Sequence, residues 1–261
     1  MKKDDLIFFQ KWFGEYCRSF HSGDIEDQRN IRLKEKHTFN VCSNMTILAG
    51  GLSLSKNNAL LAETAALFHD IGRFPQYRKY RTFRDSISVN HGLLGAQTLE
   101  ETHVLQKLPD EEQELIIRSV KFHNAFSVPK KEKDDVIFFI RLVRDADKLD
   151  IWRVFLEYYE SPEDQRASAV ALGLPDIPEY TPGVLSQIYK REIISLAKIQ
   201  TLNDFKLLQL SWIFDLNFLP SFRLLSERDY LNRMISNLPR TEEIQNVFLF
   251  LKDFVDQKLS V

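Results

Sequence analysis

Cysteine is scarce in this chain of 261 residues, with only Cys17 and Cys42 present. Two thiols cannot frame a disulfide-stapled fold, and neither stands in a Cys-x-x-Cys pair of the kind that binds zinc or runs thiol redox chemistry. A reducing cytoplasm is the expected compartment. Nine glycines and nine prolines are few for a fold built on many tight turns, which argues against a sandwich or barrel of short strands. Long apolar runs are missing as well. Val136 to Ile140 and Val247 to Leu251 have five residues each, against about 20 for a membrane span. The apolar Leu6 to Phe9 is too short for a signal-peptide core. There is little excess of either charge: 35 Lys and Arg oppose 37 Asp and Glu, for a net charge of -2. No global positive field draws the chain to nucleic acid or to an anionic membrane, and neither is an expected partner.

What is abundant is apolar residues, at 44%, recurring at spacings of three and four. That period predicts an all-α protein. Helices are expected over Lys3 to Arg18, Ile31 to Gly50, Asn57 to Ile71, His91 to His103, Pro109 to Asn124 and Asp134 to Tyr159, with Arg73 to Asn90 as a basic, aromatic connector. The proline-rich Ser161 to Pro182 suggests a surface excursion. Four further helices are expected over Gly183 to Lys198, Asn203 to Leu216, Pro220 to Ser236 and Thr241 to Leu259. The Asn57 to Ile71 helix is apolar almost all round and should be central.

Four of the six histidines, on these helices or at their ends, form an ordered series with aspartates: His37, His69-Asp70, His91, His123 and Asp147. His37 shares a helical face with Leu33, Val41 and Leu48, so its imidazole points toward the core, where it needs a partner. His69 and Asp70 follow Ala65, Ala66, Leu67 and Phe68, where an uncompensated carboxylate would be costly. A cation removes that cost. Of Asp145, Asp147 and Asp150, stepping by three and four from Ile140 and Val143 meets Asp147 and then Asp150 or Ile151, while Asp145 falls beside Arg141 and Phe138, which makes Asp147 the better candidate. For Asp150, a hydrogen bond to a ligand imidazole and a pair with Arg153 or Arg144 are both open. Mixed nitrogen and oxygen donors suit a divalent ion and not a thiolate zinc site.

The series, together with Leu67-Phe68-His69-Asp70-Ile71-Gly72-Arg73 and Val143-Arg144-Asp145-Ala146-Asp147-Lys148-Leu149-Asp150, resembles the HD-domain superfamily of metal-dependent phosphohydrolases over about residues 31 to 155. The resemblance implies an all-α HD-type bundle. It further implies that His37, His69, Asp70 and Asp147 hold one divalent ion, while His91 and His123 complete a second site with Asp70 bridging. The cofactor is then one or two ions of Mn, Fe, Ni, Co, Mg or Zn. Arg73 takes the place of a phosphate-contacting lysine found in several members, so Asp70 and Arg73 are the expected catalytic residues. The expected reaction is hydrolysis of a phosphate mono- or diester of a nucleotide or other small metabolite, by in-line attack of hydroxide on a metal whose bound water ionises near about pH 7. The whole chain, 1 to 261, is expected to be a single domain, with a metal core at about 31 to 155 and a helical extension at about 183 to 259 covering it. Rival readings are an HD-like di-iron oxygenase, a metal-bound nucleotide sensor without turnover, and a structural helical protein.

Overall fold

The computed structural model describes residues 1–162 and 173–260, and among them there are helices and no strands. The chain forms two compact units, one running to Asp150 and the other beginning at Ile151. Within the expected Ser161 to Pro182 excursion, residues 163–172 lie outside the described residues. No described helix is long and apolar enough to cross a membrane.

The first unit opens with α1 (Lys3–Arg18), which buries Leu6, Phe9, Phe13 and Cys17, one residue per turn. Next is α2 (Ile25–Gly51), which begins six residues earlier than the apolar pattern predicts. The polar stretch before Ile31 is helical because the Asp24 side chain caps it, accepting a hydrogen bond from the Asp27 amide at 2.8 Å. Ser55 caps α3 (Lys56–Phe68) in the same way. From Leu61 on, α3 is buried nearly all round, and it packs on α1, α2 and α6 (Asp110–Phe122). It stops at Phe68, so His69 to Gly72 form the turn that follows and not its last turn.

The expected connector proves to be partly helical. Arg73–Tyr80 forms α4, because Pro75 is only its third residue and removes no helical hydrogen bond there. Arg81 then ends it in the left-handed conformation. After a 3-10 turn at Asp85–Ile87, Asn90 caps α5 (His91–Thr102). Pro109 stands at the N-cap of α6 and not inside it. The long α7 (Asp134–Glu160) runs through Asp150 into the second unit.

Three glycines set how closely these elements approach. A Cβ on Gly72 would lie 2.3 Å from the His91 carbonyl oxygen and 2.6 Å from the Gly95 nitrogen; one on Gly92 would lie 2.8 Å from the Lys121 carbonyl oxygen. The His69–Gly72 turn therefore rests directly on the backbone of α5, and α5 on the end of α6. Gly72→Ala is expected to push α5 away and cost about 1–3 kcal/mol, as overpacking does. Denaturant unfolding measures the loss, and an unchanged midpoint would contradict this close approach.

In the second unit, the segment expected as one helix over Gly183 to Lys198 is only α8 (Val184–Tyr189) and a 3-10 turn at Leu196–Lys198. α9 (Leu202–Ser211) passes into 3-10 at Trp212–Asp215. The helix expected over Pro220 to Ser236 is two, α10 (Leu219–Glu227) and α11 (Tyr230–Ser236), broken where Asp229 turns left-handed. Thr241 caps α12 (Glu242–Leu259), which packs on α8, α10 and α11. Asp204 ties this unit together, accepting hydrogen bonds from the amides of Thr181, Gln200 and Thr201 and from the Thr181 hydroxyl.

Burial alone would raise the Asp204 carboxyl, but these donors outweigh it and hold the group below its ordinary value. Its charged form is thus favoured by folding. The resulting stability is fully present above the unfolded-state value of about 3.9 and is lost as pH falls through the lower folded value. Asp204→Asn is expected to cost about 2–3 kcal/mol at neutral pH and to flatten the acid limb of the unfolding curve. An unaltered acid limb would refute this role for Asp204.

Candidate metal centre

Side chains from four helices and one turn meet inside the first unit. His37 comes from α2, His69 and Asp70 from the turn after α3, His91 from the first position of α5, His123 from the end of α6 and Asp147 from α7. The four imidazoles and Asp70 are buried. The Nε2 atoms of His37 and His69 stand 3.2 Å apart, and 3.6 and 3.7 Å from Asp70 Oδ2. Asp147 Oδ1 adds itself to this group at 3.1 Å from His37 Nε2 and 3.7 Å from His69 Nε2. The Nε2 atoms of His91 and His123 are 3.1 Å apart, and 3.4 and 3.9 Å from the other oxygen, Asp70 Oδ1. Asp70 therefore faces one pair of imidazoles with each oxygen. His37, His69 and Asp70, and again Asp70, His91 and His123, are groups close enough to share an ion.

Each imidazole is aimed by its other nitrogen. Asp150 Oδ2 lies 2.7 Å from His37 Nδ1, and Asp85 Oδ2 lies 2.7 Å from His91 Nδ1. His69 Nδ1 and His123 Nδ1 are each 2.7 Å from a carbonyl oxygen, those of Ala66 and Val120, one turn back in their own segments. Carboxylate and carbonyl oxygens only accept, so the proton of each neutral ring sits on Nδ1 and the lone pair of Nε2 faces inward. Asp150 thus engages His37, the first of the two alternatives its sequence context leaves open. Asp85 lies in the irregular segment before α5, where helical phase gives no guidance, so nothing in the sequence marks its role.

Charge follows the same geometry. Burial disfavours protonation of His123, and His91 and His69 add to the effect, pushing it down to about 3. Burial also lowers His69 and, with Arg73, His91. His37 differs: burial and Lys34 oppose its charge, but Asp147 and Asp150 prevail and raise it to about 9. Burial would push the Asp70 carboxyl up, yet Lys34 first, then His69, Arg73 and His91, hold it well below the ordinary range. Asp147 and Asp85 are depressed against burial too, the first mainly by His37 and His69, the second by His91 and Arg73.

Two cations rim the group. Lys34 Nζ reaches Asp70 Oδ2 at 2.6 Å. Arg73 Nε reaches Oδ1 at 3.3 Å, while its Nη1 donates to Gln76 Oε1, the Phe83 carbonyl and Asp85 Oδ1. Lys34 is a member of this group that sequence reasoning misses, although it lies three residues before His37 on the same helical face.

A divalent ion fits these donors. Neutral His91 and His123 present two lone pairs to each other at 3.1 Å, an arrangement that repels unless a cation lies between them. Ligand atoms at ~2.0–2.2 Å from one ion stand roughly 3–3.5 Å from one another, close to the spacings of both groups. The HD domain family model matches residues 35–152. No curated protein and no solved structure matched the chain.

Proposed function

We propose that this protein is a metal-dependent phosphohydrolase that cleaves a phosphate mono- or diester of a nucleotide or other small metabolite. In this reading His37, His69, Asp70 and Asp147 hold one ion, and Asp70, His91 and His123 a second. The observation that carries it is the inward convergence of four Nε2 atoms on the two oxygens of one buried carboxylate. HD domains are in general metal-dependent hydrolases, which supports the reaction class, and the ester-bearing substrate rests on that likeness.

A divalent ion at such a site activates water and neutralises charge on phosphate oxygens. The chain's own residues do the rest. Asp85 and Asp150 fix the tautomers of His91 and His37, so that lone pairs are already oriented when substrate arrives. Arg73, anchored through Nε and Nη1, makes no hydrogen bond through Nη2 among the described residues. That nitrogen is offered to a non-bridging phosphate oxygen, where a fixed guanidinium stabilises charge without reorganising.

The test is release of inorganic phosphate from a panel of nucleotides and sugar phosphates with Mn, Co, Ni, Mg or Zn added singly, for the wild type and His69→Ala. Ion-dependent release that disappears in the variant is expected. Release equal in the two proteins, or none with any ion, overturns the reading. Dioxygen consumption by iron-loaded protein without phosphate release would select oxygenase chemistry instead.

A further inference from the structure

Asp70 Oδ2 is claimed from two sides. It faces the Nε2 atoms of His37 and His69, where an ion would use it as a ligand, and it also accepts a hydrogen bond from Lys34 Nζ at 2.6 Å. One carboxylate oxygen cannot keep an ammonium and a divalent ion at bonding distance together without setting like charges about 4 Å apart in a partly desolvated site. The cation on the other oxygen does not meet this conflict in the same form. Arg73 is farther from Oδ1, at 3.3 Å, and is moored by Gln76, Asp85 and the Phe83 carbonyl. For Lys34, Asp70 is the one hydrogen-bonding partner among the described residues.

Lys34 also has somewhere to go. Its ammonium lies 5.3 Å from the centroid of Phe83, an aromatic face that attracts a cation. Its side chain is 16% exposed against 3% for Asp70, so it stands on the solvent side of the carboxylate. A short torsional movement of a four-carbon stem takes the ammonium off Oδ2 while keeping it over the ring.

We propose that Lys34 is an exchangeable counter-cation that competes with a divalent ion for Asp70 Oδ2, and so sets the affinity of the His37–His69–Asp70 group alone. This rests on the metal-centre reading above and deepens it, since it makes the two halves of the centre unequal. The ion of the His91–His123 half meets a fixed guanidinium, and the ion of the His37–His69 half must displace a mobile ammonium.

The test is calorimetric titration of Mn or Zn into chelator-treated wild-type, Lys34→Gln and Lys34→Arg proteins, with no substrate. In Lys34→Gln one binding step should tighten roughly tenfold, the usual scale for removing a charge-assisted competitor, while the other step is unchanged. Lys34→Arg should restore the competition. A second measurement needs no variant: acylation of Lys34 in the native protein, followed by mass spectrometry, should be slow in chelator and speed up when Mn is added. Should Lys34→Gln fail to fold, this labelling decides. Metal uptake with unaltered affinity in Lys34→Gln, or labelling indifferent to Mn, overturns the competition and leaves the metal centre standing. Absence of uptake in every protein overturns both.

Discussion

Asp70→Ala is expected to lower phosphate release by about a thousandfold or more, the scale seen when a group essential to a catalytic unit is removed, and to abolish uptake of the bridged pair of ions. Both expectations follow from its place: one oxygen belongs to each group of imidazoles. The variant should still fold, because alanine removes a buried charge as well as its partners, but Lys34 and Arg73 lose a common acceptor and some stability goes with it. Circular dichroism and a phosphate assay on the same preparation separate the two effects. A folded Asp70→Ala protein with turnover within tenfold of the wild type would rule out a bridging role.

The second large effect concerns residues that touch no ion. Asp85→Asn and Asp150→Asn keep an acceptor near His91 Nδ1 and His37 Nδ1 but remove the charge, and an amide is free to turn its NH2 toward the ring. Each substitution is expected to weaken binding by about 10–100-fold, as partners that orient metal-bound histidines do. The losses should be local, with Asp150→Asn affecting the His37–His69 half and Asp85→Asn the His91–His123 half. Competition titration with a chromogenic chelator reads this directly. Equal weakening of both steps by either variant would contradict separate tautomer control.

How much of this was legible in the sequence differs by residue. The all-α class followed from the three-and-four spacing; α1 coincides with its expected range because its apolar residues lie on one face, and α3 stands one and three residues from its expected ends. The early onset of α2 was hidden by polar residues that solvent accepts as readily in a helix as in a loop, and α4 by a proline whose position in the first turn makes it harmless. The histidine series was readable because an imidazole on an apolar face is anomalous. Helical phase ranks Asp147 above Asp145, yet Asp145 and Asp150 are the buried ones and Asp147 is partly exposed; it is contact, with Asp147 Oδ1 against His37 Nε2, that sets Asp147 apart.

What phase cannot report is contact across irregular backbone. Asp85 sits among residues with no period, close to several arginines in the chain, and its hydrogen bond to His91 depends on how the 3-10 turn lays the segment over the start of α5. Nor could the sequence say how the functional atoms of the expected phosphate contact are spent. Arg73 has two of its nitrogens committed to Asp70, Gln76, Phe83 and Asp85, a fact of packing between α4 and the segment that follows it.

The central claim is that Asp70 joins two groups of imidazoles around divalent ions, and counting ions tests it most directly. Chelator-treated protein is dialysed to equilibrium against Mn or Zn and its metal content read by inductively coupled plasma mass spectrometry, alongside His123→Ala. The expected result is two ions per chain in the wild type, one for each group around Asp70, and one in the variant. Wild-type protein that retains no ion at saturating metal, or a variant that binds as many as the wild type, would contradict it.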